Sequence, residues 1–270
     1  MIFRTIQDTK IPALGFGTCQ LKKEKCRQSV IDAIDIGYRH IDTALIYGNE
    51  AQVGQGIKDS GIDRKKLFLT TKIWYSDLAP DQLRKELERG LRAFQTDYVD
   101  LLLIHWPNPD IPLKETLQAM MTLQQEGKLR HIGVSNFPTA LVEEAIAIAP
   151  IFCNQVEYHP YLGQQKLIEQ ARANDMLLTA YCPLAKGGLF KEIALQELAQ
   201  KYDKTVAQVT LRWLLQQDRI AAIPRSTKHE HRKQNIDIFD FELTDEEMRS
   251  IHQLDAQLRA INPDIAPEWD

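Results

Sequence analysis

The sequence predicts one (β/α)8 barrel of the TIM type, a single α/β domain over residues 1–270, and three observations carry that prediction. Short β-rich runs alternate with amphipathic helical stretches, the pattern of a parallel sheet with crossover helices. No low-complexity segment or Pro/Gly/Ser linker divides the chain, and 270 residues is an ordinary length for one such barrel. The segment after the first predicted strand reads Gly15-Phe16-Gly17-Thr18-Cys19-Gln20. It lacks G-x-G-x-x-G, which argues against a Rossmann dinucleotide site. Strand count alone does not prove closure, so an open doubly wound sheet remains the structural alternative.

Taken in order, strands are predicted near Leu14–Thr18, Arg39–Asp42, Leu67–Ile73, Val99–His105, Arg130–Ser135, Cys153–Glu157, Leu177–Tyr181 and Ala221–Pro224. Helices are predicted near Lys23–Ile36, Glu50–Ser60, Pro80–Phe94, Lys114–Glu126, Thr139–Ile148, Gln165–Asn174 and Lys191–Tyr202, with Val206–Gln217 and Asp245–Leu258 added. Ser76 or Asp77 is expected to cap the third helix, with Pro80 in its first turn. Gly37, Gly61 and Gly127 each fall just past a helical run, where a left-handed residue is needed.

Composition excludes several function classes. A formal charge of −4 and a pI near 6.0 argue against a general nucleic-acid binder. Hydrophobic residues at 44% and charged residues at 26% are ordinary globular values that allow a large core. Cys19, Cys26, Cys153 and Cys182 show no CxxC pair, so they read as reduced thiols. The first residues lack the apolar run of a signal peptide, and runs such as Leu101 to Ile104 are too short to span a bilayer. A cytoplasmic monomer without membrane or nucleic-acid partners is expected.

Active sites of α/β barrels lie at the C-terminal ends of the strands. There the second predicted strand ends in Asp42, with Tyr47 five residues on. The third carries Lys72 and the fourth ends in His105. Each has a bland reading: Asp42 as a turn residue, Tyr47 as a rim aromatic, His105 as a satisfied core histidine. A buried lysine is less bland, because an unpaired charge is costly to bury. Carbonyl reduction by hydride transfer uses all four together. The carbonyl oxygen needs a proton, and a phenol of pKa about 10 is a poor acid at neutral pH. A neighbouring Lys72 ammonium, held charged by Asp42, is expected to lower that pKa, while His105 orients the carbonyl by a hydrogen bond.

In fixed order the chain carries Leu14-Gly15-Phe16-Gly17-Thr18, Gly37-Tyr38-Arg39-His40-Ile41-Asp42-Thr43-Ala44, Tyr47-Gly48-Asn49-Glu50, Thr71-Lys72-Ile73-Trp74, Asp97-Tyr98-Val99-Asp100-Leu101 and Ile104-His105-Trp106-Pro107. Gly133-Val134-Ser135-Asn136-Phe137, Asn154-Gln155, and Ile223-Pro224 with Ser226 follow. Over essentially its whole length the chain resembles the aldo-keto reductases. The resemblance places the family's catalytic tetrad at Asp42, Tyr47, Lys72 and His105. It implies an NADP(H) site in which Ser135, Asn136 and Gln155 hold the carboxamide and Tyr181 stacks on the nicotinamide. Pro183 and Leu184 fall over the pyrophosphate, and Arg225, Ser226 and Thr227 in the adenosine-phosphate loop. Gly17, Thr18, Asp42, His231 and Asn235 complete the implied cofactor contacts. Cys19, Tyr47, Trp74, His105 and Trp106 are the implied substrate contacts, and no metal is expected.

Two departures bear on the 2′-phosphate. Cys182 stands where the family usually has a serine, and His231 where it usually has an arginine, with Arg232 beside it. NADPH is expected as the cofactor, with NADH as a weaker alternative. The ending Ala266-Pro267-Glu268-Trp269-Asp270 resembles the microbial branch that reduces 2,5-diketo-D-gluconate and methylglyoxal. Small aldehydes, ketones and α-dicarbonyls are therefore the expected substrates. A metal-dependent hydrolase barrel, a cofactor-binding regulatory subunit without turnover and a barrel isomerase are the competing readings.

Overall fold

The computed structural model describes residues 2–270. The chain opens with a hairpin that the sequence reading did not include: β1 (Phe3–Ile6) pairs antiparallel with β2 (Thr9–Pro12). Its two-residue turn, Gln7 and Asp8, has φ of 45° and 61°, the left-handed pair that a tight hairpin requires. Ile6 and Ile11 pack with Phe68, Leu101, Leu103, Phe152, Leu177 and Ala221 in an inner cluster. The hairpin thus closes the barrel floor.

Eight parallel strands follow in sequence order: β3 (Phe16–Gly17), β4 (His40–Asp42), β5 (Phe68–Ile73), β6 (Val99–Ile104), β7 (Leu129–Ser135), β8 (Ile151–Glu157), β9 (Leu177–Tyr181) and β10 (Ile220–Ala222). The first and last join through a parallel bridge between Leu14 and Ala222. Backbone bonds from Gly15 N to Ala222 O at 2.8 Å and from Ala222 N to Ala13 O at 2.8 Å complete the seam. Any Cβ at Gly17 would come within 2.8 Å of the Ile223 carbonyl, so glycine is required for closure. The open-sheet alternative is thereby set aside.

β5 and β6 are buried at every residue, as expected where a parallel sheet is covered on both faces. The side chains nevertheless sort with period two. Leu69, Ile73, Leu102 and Ile104 join the outer core beneath the helices, whereas Phe68, Leu101 and Leu103 fill the lumen. The outer layer comprises α1 (Lys23–Ile36), α2 (Glu50–Asp59), α3 (Pro80–Phe94), α4 (Leu113–Gln125), α5 (Thr139–Ile148), α6 (Gln165–Ala173), α7 (Ile193–Lys201), α8 (Val206–Gln216), α9 (His229–Ile236) and α10 (Asp245–His252). In α3 the buried residues Leu83, Leu87, Gly90, Leu91 and Phe94 form one stripe at helical spacing.

Gly37, Gly61 and Gly127 all have positive φ, as expected past helix ends. The expected Ser76 or Asp77 cap is not formed. Tyr75–Asp77 make a separate single turn, Ala79 is the N-cap without a side-chain bond, and Pro80 opens α3 as expected. The eighth strand is Ile220–Ala222 rather than Ala221–Pro224, although Ile223 N still donates to the Ala180 carbonyl at 3.1 Å and the Pro224 carbonyl accepts from Gly17 N at 3.1 Å. A 3-10 segment, Ala185–Lys191, kinked at Lys186 and Gly187, precedes the shorter α7. α10 stops at His252 rather than Leu258. α9 was not predicted, since H-E-H-R-K-Q-N-I has no apolar face for periodicity to detect.

Candidate active site

Strand parity gathers the chemistry. His40 and Asp42 alternate along β4; Phe68, Thr70 and Lys72 along β5; Leu101 and Leu103 along β6, with His105 next in the same phase. Gln155 and Tyr181 fall on the corresponding positions near the ends of β8 and β9. The β5 and β6 sets put apolar groups low in the lumen and polar groups at its C-terminal mouth. The Lys72 ammonium, 1% exposed, donates to Asp42 Oδ1 at 2.6 Å and to the Thr43 carbonyl at 2.7 Å. Gln155 Nε2 donates to the other Asp42 oxygen at 2.8 Å. A buried ion pair is tolerable when its remaining atoms are hydrogen-bonded, and here both Asp42 oxygens and two of the three Lys72 N–H groups are.

Tyr47 ends a single turn, Leu45–Tyr47, after β4. Asn49 fixes that loop: its Nδ2 donates to the Thr18 and Leu21 carbonyls at 3.0 and 2.9 Å, and its Oδ1 accepts from the Thr43 hydroxyl at 3.0 Å. The Tyr47 ring lies 5.6 Å from Lys72 Nζ, and its centroid is 5.8 Å from that of His105. Trp74 meets His105 edge-on at 5.1 Å, and Trp106 meets Trp269 at 6.1 Å. Asp42, Tyr47, Lys72, His105 and Trp74 therefore converge, while Trp106, nearly fully buried, packs against Trp269.

The electrostatics correct one expectation. Burial first, then the Asp42 carboxylate and the Cys19 thiol, push Tyr47 well above its ordinary value near 10. The net direction is upward even with Lys72 Nζ 5.6 Å from the ring. Burial, aided by Lys72, holds His105 well below 6.5. The mouth thus contains a phenol that keeps its proton and a neutral imidazole.

The residues implied for a cofactor form a second arc. Asn136, at φ 63°, donates from Nδ2 to the His105 carbonyl at 2.9 Å and accepts the Tyr181 hydroxyl at 2.7 Å. The Ser135 hydroxyl donates to the Gln155 carbonyl at 2.8 Å. Gly17 and Thr18 are buried, with the Thr18 hydroxyl donating to the Asp42 carbonyl at 3.1 Å. Cys182, at φ 47°, leads into Pro183 and Leu184. Across the seam Arg225, Thr227 and His231 are exposed. Arg225 enters no ion pair among the described residues. Ser226 is engaged within its own loop, accepting from Lys228 N at 3.1 Å. Arg232 turns inward, bonding Asp32 at 2.6 Å and the Ser226 carbonyl at 3.0 Å, while Asn235 is buried beside it.

Sequence reasoning missed Asn49 as a loop anchor, and it missed Glu157 and the carboxy-terminal tail. Glu157 is fully buried at the end of β8, accepting from His159 Nε2 at 2.8 Å and from the amides of Ala260 at 2.7 Å and Ile261 at 2.9 Å. A strand-end glutamate was the available signal, but its partners lie about a hundred residues away.

The aldo/keto reductase family model matches residues 13–256. Methylglyoxal reductase DkgB of Escherichia coli O157:H7 is 41% identical over 96% of this chain and 99% of its own length. The glyoxal reductase of Bacillus subtilis is 42% identical over 94% and 93%. Among solved structures, one provisionally described as 2,5-diketo-D-gluconic acid reductase B superposes with a TM-score of 0.97 at 44% identity, covering 99% of this chain and 97% of that one. An aldo-keto reductase of Bombyx mori in complex with NADP gives 0.89 at 36%, covering 97% and 95%. The lumen-facing polar mouth, the closed eight-stranded barrel and these likenesses agree: the chain belongs to the aldo/keto reductase family and is an oxidoreductase.

Proposed function

We propose that this chain reduces small aldehydes, ketones and α-dicarbonyls, of the methylglyoxal and keto-sugar acid kind, with NADPH as reductant. Asp42, Tyr47, Lys72 and His105 form its catalytic set. The observation that carries this reading is the buried Lys72–Asp42 pair at 2.6 Å beneath Tyr47, with His105 across from it. Names of the relatives supply the substrate kind, and the Bombyx mori complex supports the cofactor.

The residues present fit a phosphorylated nicotinamide cofactor. Arg225 stands exposed in the loop with Thr227, and no carboxylate pairs with it among the described residues. A guanidinium binds phosphate through two parallel donors. Asn136 and Gln155 would hold the carboxamide, with Tyr181 against the ring. When bound, that cofactor supplies the hydride. Preference for the 2′-phosphate then rests chiefly on Arg225, because an imidazole at His231 lacks the paired donors of a guanidinium. Measurable NADH activity follows.

The chain's own residues handle the proton and the oxygen. His105, being neutral, donates an N–H hydrogen bond to the carbonyl oxygen without repelling Lys72. Tyr47 keeps its Oη proton until negative charge grows on that oxygen, and an alkoxide is basic enough to take it. Lys72 then faces the new phenolate, which stabilises the product side. Trp74 and Trp106 wall the carbonyl from water. Tyr47→Phe is expected to lower kcat at least ~10²-fold while NADPH still binds. Near-normal turnover by a folded Tyr47→Phe enzyme would sink the assignment.

A further inference from the structure

A groove on the outside of the barrel has no part in the reductase reading. It opens between the β6–α4 loop, α5 and the carboxy-terminal tail, and it encloses about 680 Å³. That volume lies in the range that holds a small organic molecule. Ile104, Phe137 and Leu141 line it, and all three belong to the outer core beneath the helices rather than to the lumen. Ile111 extends the apolar surface from the loop and Ile265 from the tail. None of Asp42, Tyr47, Lys72 and His105 lines the groove. Tyr75 marks its boundary with the mouth: this ring meets Trp74 edge-on at 5.4 Å, and Trp74 in turn meets His105.

The side-chain charge around the groove is all of one sign. Asp110 of the β6–α4 loop, Glu144 of α5 and Asp264 of the tail bring carboxylates to it from three separate segments. All three are exposed, and none forms an ion pair or accepts a hydrogen bond on its carboxylate among the described residues. No lysine, arginine or histidine lines the groove. Its other polar side chains are engaged within the protein. The Thr116 hydroxyl donates to the Leu78 carbonyl at 3.0 Å, and Asn108 Nδ2 donates to the Tyr75 carbonyl at 2.9 Å. Apolar surface and unanswered negative charge therefore stand together, the complement of a cation with an apolar body.

We propose that this groove is a second, non-catalytic binding site for a small amine. Its apolar body would cover Ile104, Phe137 and Leu141, and its ammonium would meet Glu144 and Asp264. The apolar contact takes exposed hydrocarbon out of water, while the carboxylates select a cation over a neutral ligand of the same size. An alkylammonium resembles the lysine side chain, of ordinary pKa about 10.4, and stays charged at neutral pH.

The test is calorimetric titration of the NADPH-loaded protein at pH 7.5 with 4-phenylbutylamine and with its neutral counterpart, 4-phenylbutanamide. The amine is expected to bind about fivefold more tightly than the amide, the scale of solvent-facing ion pairs. In the double variant Glu144→Gln, Asp264→Asn the amine should weaken to the level of the amide, whose own affinity stays unchanged. Leu141→Trp, which fills the groove, should weaken both probes at least ~tenfold by removing the apolar contact. If Leu141→Trp does not fold, the double variant decides. Equal affinity of amine and amide for the wild type overturns the proposal, as does an amine affinity that either variant leaves unchanged. Absence of amine binding at millimolar concentration overturns it as well. Because no catalytic residue lines the groove, each of these failures leaves the reductase reading standing.

Discussion

At the scale of single residues, the mouth of the barrel is organised by one lysine. Lys72 holds Asp42 and the Thr43 carbonyl, and its charge is the second cause of the low His105 value. Removing one partner of a buried pair typically costs about 3–5 kcal/mol, so Lys72→Met should be visibly destabilised. It should also lose reduction, with Asp42→Asn less damaged because that amide can still meet Gln155. The sharper readout is His105. In Lys72→Met its titration, followed by NMR of the ring protons, should move up toward 6.5 yet stay below it, since burial remains the larger cause. A His105 titration unchanged by the substitution would show that Lys72 does not act on the imidazole.

At the scale of elements, α9 and the loop before it separate two arginines that look interchangeable in sequence. Arg225 is exposed and unpaired, whereas Arg232 is buried and braces the loop, joining Asp32 of α1 to the Ser226 carbonyl. The Tyr38 hydroxyl donates to the Arg232 carbonyl at 3.0 Å and fastens the same helix. Arg225→Ala should therefore raise KM for NADPH and leave NADH nearly unaffected, because the lost contact exists only with the phosphate. Arg232→Met should weaken both cofactors and lower Tm, since it leaves Asp32 with His229 as its remaining partner and releases the loop. Equal losses with both cofactors in Arg225→Ala would show that Arg225 supports the loop instead.

At the scale of the molecule, closing the barrel buries imidazoles. His40 and His105, both buried, and the half-buried His131 are lowered by burial as the first cause. A histidine with a depressed folded-state value binds protons more readily when unfolded, so stability falls as pH drops through about 6.5. The depressed carboxylates act lower: Glu126 and Glu247 are held near 2, and their contributions are lost only as pH falls below the ordinary range near 4.5. Tm should therefore decline between pH 7.5 and 5.5, before carboxylate titration begins. A Tm that is flat or rising on acidification over that interval would contradict the buried, neutral histidines.

The sequence by itself determined the strand–helix alternation of an α/β barrel and the strand-end residues proposed here as the catalytic set. Hydrophobic period and turn residues are local signals, and Asp42, Lys72 and His105 stand at or near strand ends whose common mouth the (β/α)8 topology guarantees. Even α3, with Leu83, Leu87, Leu91 and Phe94 at helical spacing, could be bounded from Pro80 alone. Only the tertiary structure decided the rest. The floor hairpin, the polar α9 and the tail owe their conformation to long-range partners, such as Arg4 reaching the Ile220 carbonyl and Glu157 reaching Ala260. The raised value of Tyr47 likewise turns on burial and on the nearby Asp42 carboxylate, both of which depend on groups brought together by closure. Periodicity reports what a segment prefers, whereas desolvation and charge pairing depend on neighbours distant in the chain.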